Sequence, residues 1–226
     1  MTLTIYNELE QGSDAWLAAR CGMLTASVIG KLITPKLQVA DNDTSRGVIA
    51  SLVAERITGL VEDVYVSADM ERGTLDEPYA RNVYAEHYDP VDEVGFMVRE
   101  INGRKLGFSP DGLVGDDGII EIKSRRQKVQ LATILADQVP AENMAQIQTG
   151  LLVSGREWCD YVSYCGGMPL YVTRVHASTQ WADVIVNALE HFENAATTAL
   201  DTYNLLSGLM PPTVRIDHFE ALELKL

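Results

Sequence analysis

Ser109-Pro110-Asp111-Gly112 and Glu121-Ile122-Lys123, joined across Asp116-Asp117-Gly118, are the stretches on which the reading of this 226-residue chain turns. Asp-Asp-Gly is a tight-turn signal, so the two stretches read as neighbouring strands that bring two carboxylates and a lysine together. Glu121 and Lys123 are two residues apart and share one face of their strand. Ile119, Ile120 and Ile122 surround them, and a carboxylate in apolar surroundings is costly unless something compensates it. A divalent cation would do so, and the pattern then suits metal-assisted cutting of a phosphodiester, the chemistry of a DNA nuclease. The spacing alone is equally that of a hairpin with a surface Asp and a Glu–Lys pair.

Outward from the hairpin, the texture on either side is α/β. Strands are expected at residues 94–98, 105–109, 112–114, 118–123, 159–164 and 170–175, the last two flanking Gly166-Gly167. Ser13 is placed to cap a short helix through Trp16, Leu17 and Arg20, and Thr25 to open another carrying Val28, Ile29 and Leu32. Thr44 or Ser45 would cap a third, with Val48, Leu52, Val53 and Ile57 as its apolar set. Pro78 fits a helix start, which puts Glu77 near the first turn of a helix running to about Tyr88. Further helices are expected at 125–136, from about Pro140 through Met144, Ile147 and Leu151, and at 178–206, where Trp181, Val184, Ile185, Ala188, Leu189 and Phe192 keep helical spacing. With no repeat and no linker-like segment, residues 1–226 read as a single α/β domain with a central mixed β-sheet flanked by helices.

Composition is that of a globular protein, 46% hydrophobic and 22% charged. No apolar run approaches a membrane span and the N-terminus lacks the basic start of a signal peptide, so no membrane association is expected and the cytoplasm is the default location. Cys21, Cys159 and Cys165 match neither a disulfide framework nor a zinc spacing and read as free thiols. The net charge of −14 argues by itself against nucleic acid. Yet residues 99–128 hold seven basic residues (Arg99, Arg104, Lys105, Lys123, Arg125, Arg126 and Lys128), where an even spread would give about two. Positive charge is therefore expected to gather around the candidate site.

Asp111 and Glu121 are the candidate metal ligands, with oxygen donors suited to Mg²⁺ or Mn²⁺, and the Ile122 carbonyl completes the set. Lys123 would stabilise the transition state. Glu77 would reach the metal through water, and Gln146 would position water or phosphate, although acidic residues favour helix N-termini in any case and a lone glutamine also fits a solvated helix face.

Gln11-Gly12-Ser13-Asp14-Ala15-Trp16, Arg20-Cys21-Gly22-Met23-Leu24-Thr25-Ala26-Ser27, Gly73-Thr74-Leu75-Asp76-Glu77-Pro78 and Ala145-Gln146-Ile147-Gln148 join the two central stretches in an ordered set over residues 11–152. In that order they resemble the lambda-exonuclease-like (YqaJ-type) viral recombinases of the restriction-endonuclease-like PD-(D/E)xK nuclease superfamily. The resemblance implies a Mg²⁺-dependent 5′-to-3′ exonuclease that degrades one strand of linear double-stranded DNA to mononucleotides and leaves 3′ overhangs for phage recombination. It implies no need for ATP, and no Walker-type glycine loop occurs in the sequence. It further implies a homotrimer ring and a single-strand annealing protein as partner, in a phage- or prophage-encoded protein of a bacterial host. By position, Asp111, Glu121 and the Ile122 carbonyl match metal ligands, with Lys123, Gln146 and Glu77 assisting. Arg20, Thr25, Ser27 and Ser109 match a 5′-phosphate pocket, and Met70 an apolar wedge at the duplex end. Arg125 and Arg126 lie near a basic DNA contact without matching it. Gly150 stands where the superfamily often has a tyrosine. A related repair or defence endonuclease and a non-catalytic DNA-end-binding scaffold are the alternative readings.

Overall fold

The computed structural model describes residues 2–62 and 66–215. The chain order is β1 (Thr2–Tyr6), α1 (Asp14–Arg20), α2 (Ala26–Ile29) with a 3-10 turn at Gly30–Leu32, α3 (Asp43–Thr58), α4 (Ala68–His87), β2 (Phe96–Ile101) and β3 (Arg104–Phe108). It continues with β4 (Gly112–Val114), β5 (Gly118–Ser124), α5 (Gln127–Ala136), α6 (Ala141–Ser154), β6 (Trp158–Tyr164), β7 (Tyr171–His176) and α7 (Thr179–Ser207).

The expected mixed sheet is four-stranded, in the order β4-β5-β6-β7. Only β5 and β6 are parallel, and α5 and α6 form the crossover that a parallel pair requires. The strands expected at 94–98 and 105–109 do not join it. They are β2 and β3, and with β1, which the pattern analysis missed, they make a separate antiparallel sheet. The chain passes from one sheet to the other through Ser109-Pro110-Asp111, between β3 and β4.

Alternation along β5 divides the interior. Ile119 faces the main core, with Cys159 and Tyr161 of β6, Ile147 and Leu151 of α6, and Ile185 and Phe192 of α7. Ile120 and Ile122 face the opposite way, onto Ala80 and Tyr84 of α4 and Val162 of β6. By the two-residue period, Glu121 and Lys123 are on the Ile119 side, towards α6.

Tyr84 fixes α4 on its face. Its hydroxyl donates to Asp160 Oδ2 at 2.7 Å, and Arg174 grips the same carboxylate through two bonds of 2.8 Å while lying 3.4 Å from the Trp158 ring centroid. Asp160 is buried, and three bonds, two of them from one cation, offset its desolvation.

Two local expectations are corrected. Pro78 lies inside α4, and Glu77 with it, instead of at a helix start. Proline leaves the Thr74 carbonyl without its helical donor, but Thr74 and Pro78 are both exposed, so water can serve it. The cap of α3 is Asn42, with Ser45 completing a capping box from the third helical position. Thr25 opens α2 as expected, standing at its N-cap, with its hydroxyl engaged by Arg20 and not by the helix.

Gly150 lies on the buried face of α6, where a Cβ would come 2.7 Å from Phe108 Cζ. No side chain fits between α6 and β3 at that point. Alanine would add about 1 kcal/mol of helix propensity, while overpacking costs about 1–3 kcal/mol. Gly150→Ala is therefore expected to lower the urea midpoint; a rise would show that the contact is not tight.

Candidate active site

The site grows from the end of the short β4–β5 ladder. Gly112 pairs with Ile120, so continuing the register by two residues puts Pro110 opposite Ile122. Proline has no N–H to donate to the Ile122 carbonyl, so the backbone ladder is not continued there, and the Ile122 N–H is taken by a side chain: Asp111 Oδ2 accepts it at 2.6 Å. One carboxylate is thus pinned at the start of β4, with Pro110 unable to donate to the Ile122 carbonyl.

Glu121 is 1% exposed, and neither of its carboxylate oxygens has a hydrogen-bond donor. Lys123 Nζ lies 2.5 Å from Glu121 Oε1, an ion pair by distance whose angles are not those of a hydrogen bond. The ammonium donates instead to Gln146 Oε1 of α6 at 3.2 Å. Glu77 approaches from α4 with Oε1 bonded to Arg81 Nη2.

Negative charge exceeds positive charge here. Burial pushes the Asp111 carboxyl well above the ordinary range, and the charges of Glu121 and Glu77 push it further, against Lys123 and the Ile122 N–H. Glu77 is raised first by burial, with Arg81 opposing and Glu121 and Glu93 adding. Burial alone would lower Lys123, but Glu121 and Asp111 outweigh it and the ammonium is held above its usual value.

Among the described residues no group of three or more His, Cys, Asp or Glu side chains is arranged to hold a metal ion. The available donors are the undonated oxygens of Glu121, the second oxygen of Asp111 and a peptide carbonyl. An all-oxygen set that buries more negative than positive charge fits a hard divalent cation.

A cleft of about 1170 Å³ opens beside this centre, lined among others by Arg20, Thr25, Ser27, Met70, Glu77 and Pro110. In its wall Arg20 Nη2 donates to Thr25 Oγ1 and Ser27 Oγ, each at 3.3 Å, and its guanidinium carbon lies 3.9 Å from the Trp16 ring centroid. Trp16 Nε1 donates to Ser109 Oγ at 2.9 Å. Arg20, Thr25, Ser27 and Ser109 are thus joined, directly or through Trp16, two residues before Asp111. Met70 is half exposed on α4 and borders the same cleft.

The basic residues divide. Arg125 turns inward, bonding Asn143 Oδ1 at 2.7 Å and Tyr161 OH at 3.1 Å, whereas Arg126 is exposed and pairs with Asp69 at 2.8 Å. Arg99 donates to the Val153 carbonyl, and Arg104 pairs with Glu190 of α7 at the far end of β3, about 17 Å along the strand from Ser109. The expected gathering of positive charge is therefore partial: Arg99 belongs with Arg104 and Lys105 to the β2–β3 hairpin, whose turn points away from Ser109, and for the last two a solvated charged loop is the alternative reading of the sequence.

Two further residues have a part in this geometry beyond the sequence expectations. Trp16, expected as a residue of α1, links Ser109 to Arg20. Arg81 stands one turn after Glu77, the (i, i+4) spacing at which opposite charges meet, and that signal was available. Gln148, quoted beside Gln146, is structural: it accepts the Ser178 N–H and donates to the His176 carbonyl, each at 2.9 Å. The three cysteines are free.

Fold and site together define a restriction-endonuclease-like α/β protein with a carboxylate–lysine centre at the edge of its mixed sheet. The model of the YqaJ-like viral recombinase domain matches residues 15–157. The chain is similar to the crystal structure of an alkaline exonuclease, LHK-Exo, from Laribacter hongkongensis, with 31% identity and a TM-score of 0.78 over 88% of this chain and 100% of that one. The same exonuclease in complex with dAMP gives 31% identity and a TM-score of 0.77 over the same shares. A phage-related exonuclease from Haemophilus somnus 129PT shares the fold, at 11% identity and a TM-score of 0.59 over 80% of this chain and 96% of that one. No curated protein matches the chain significantly. The chain belongs to the YqaJ-like viral recombinase domain family, and its function is that of a nuclease. Among the described residues, no helix is long and apolar enough to cross a membrane.

Crowded carboxylates cost stability in the metal-free protein. Asparagine at 111 can still accept the Ile122 N–H while removing one of the charges. Asp111→Asn is expected to raise the thermal midpoint by a few degrees at pH 7 in chelator, and an unchanged or lower midpoint would show that the charge is already compensated.

Proposed function

We propose that this protein is a Mg²⁺-dependent, ATP-independent exonuclease that degrades one strand of linear double-stranded DNA in the 5′-to-3′ direction. It releases 5′-mononucleotides and leaves 3′ single-stranded overhangs for phage-type recombination. The observation that carries the reading is the buried Glu121, with the Lys123 ammonium 2.5 Å from Oε1 and no hydrogen-bond partner at Oε2, next to a pinned Asp111 and beside a cleft lined by Arg20.

Asp111, Glu121 and the Ile122 carbonyl would hold Mg²⁺, with Mn²⁺ as a substitute. When bound, such an ion supplies an activated water and offsets charge on the phosphate. The rest falls to this chain's own side chains. Lys123, steadied by Gln146, presents its ammonium to the oxygen that gains negative charge. Glu77 receives a proton or orients water at the cleft wall, where burial raises its affinity for a proton against the opposing charge of Arg81. Arg20, Thr25, Ser27 and Ser109 hold the terminal 5′-phosphate, a dianion for which a guanidinium and three hydroxyls are suitable donors. Met70 parts the terminal base pair from the cleft edge. Exposed Arg126 meets the DNA backbone, while Arg125 supports it from behind through Asn143 and Tyr161.

The dAMP bound by LHK-Exo, a nucleoside monophosphate, supports mononucleotide release here. The reading extends to a homotrimer ring in the cytoplasm of a bacterial host, acting with a single-strand annealing protein.

Linear duplex DNA with and without a 5′-phosphate, incubated with Mg²⁺ or with EDTA, tests the activity. Mg²⁺-dependent release of mononucleotides from phosphorylated ends is expected, with none in EDTA or from Asp111→Ala protein. Arg20→Ala should reduce the preference for phosphorylated over unphosphorylated ends by about tenfold or more. Cutting of closed circular DNA would contradict an exonuclease, and a monomeric mass in solution would contradict the ring.

A further inference from the structure

Among the described residues, Arg81 is the one cation that touches both Glu77 and the Asp111 backbone. Its Nη2 bonds Glu77 Oε1 on α4, its Nε donates to the Asp111 backbone carbonyl at 2.8 Å, and its Nη1 pairs with Glu93 Oε2 at 2.7 Å, just before β2. The Arg81 side chain is 14% exposed and that of Glu93 70%, so the Glu93 contact is open to solvent and weak. The two inner contacts are different. They tie a carboxylate on the helix to the peptide that carries Asp111, in a region where Glu77, Asp111 and Glu121 repel one another. The seating of α4 does not call for a cation there, because Ala80, Tyr84 and Asp160 already supply it.

We propose that Arg81 is a positioning residue of the metal centre: its guanidinium braces Glu77 against the Asp111 backbone and so sets how tightly the divalent cation is held. The inference rests on the metal-binding reading given above. Arg81 contacts neither side-chain oxygen of Asp111 nor of Glu121, so it acts through placement. The brace requires donors pointing in three directions from one plane, which arginine has and lysine lacks, although lysine restores the charge.

The probe is Mn²⁺, added to metal-free wild-type, Arg81→Ala and Arg81→Lys proteins, with free Mn²⁺ followed by electron paramagnetic resonance and folding followed by thermal denaturation. Nucleotide release across a Mg²⁺ series is measured in parallel. Expected are Mn²⁺ affinities weakened by about tenfold or more in both variants, a shift of half-maximal activity to higher Mg²⁺, and a KM for DNA ends that stays near the wild-type value. Methylguanidinium should return part of the lost Mn²⁺ affinity to Arg81→Ala. Wild-type Mn²⁺ affinity in Arg81→Lys overturns the brace, as does an Arg81→Ala protein that loses thermal stability alone. If Arg81→Ala does not fold, Arg81→Lys decides by itself. Mn²⁺ binding is read without DNA, so a wild-type protein that binds the ion but releases no nucleotides contradicts the exonuclease reading and leaves the brace to be judged on the ion alone.

Discussion

The bond from the Ile122 N–H to Asp111 Oδ2 is the constraint around which the site is arranged. It lies where the β4–β5 ladder stops: Pro110 cannot donate to the Ile122 carbonyl, and the Ile122 N–H is satisfied by the Asp111 carboxylate in place of a backbone acceptor. That substitution turns the end of a hairpin into a fixed carboxylate. Glu121, one residue before Ile122 and on the other face of β5, then has its place defined relative to Asp111 by the strand itself. Helices α4 and α6 close over the two from different sides, bringing Glu77 and Gln146.

The sheet edge and the cleft are coupled by a short covalent distance. Ser109 ends one sheet, Asp111 precedes the other, and Pro110 between them lines the cleft. Trp16 holds Ser109 and stacks beneath Arg20, so the cationic wall of the cleft and the carboxylate centre share one segment of backbone. A rigid link of this kind gives a protein a fixed interval between a charged terminus and a reacting bond.

Much of this was legible before any coordinates. The Asp-Asp-Gly turn, the two-residue alternation around Glu121 and Lys123, and the order of the motifs all survive in the fold, because each rests on local geometry. What was illegible depended on distant partners. Strand β1 does alternate, as Thr2-Leu3-Thr4-Ile5, but it is short and largely exposed, and its partner β2 lies ninety or more positions away in sequence. Pro78 looked like a helix start because proline favours that position, and only the solvent beside Thr74 explains its place in the middle. The basic run in residues 99–128 was counted along the chain, whereas β3 carries Arg104 to the opposite end from Ser109. Arg81 shows the reverse: its spacing from Glu77 was visible, but its reach to Asp111 was not.

Pro78 also divides α4 into unequal halves. The part after it is bolted down by Ala80 and Tyr84, both fully buried, while the part before it holds Met70 on exposed turns. One backbone bond is missing between them, and the part before Pro78 is held by polar ties to β5, with Ser124 Oγ donating to Asp76 Oδ2 at 2.6 Å and accepting from Arg72 Nε at 3.1 Å. The cleft is thus walled by two segments of one helix that are anchored differently, one by apolar burial and the other by side-chain bonds to the strand that carries Lys123.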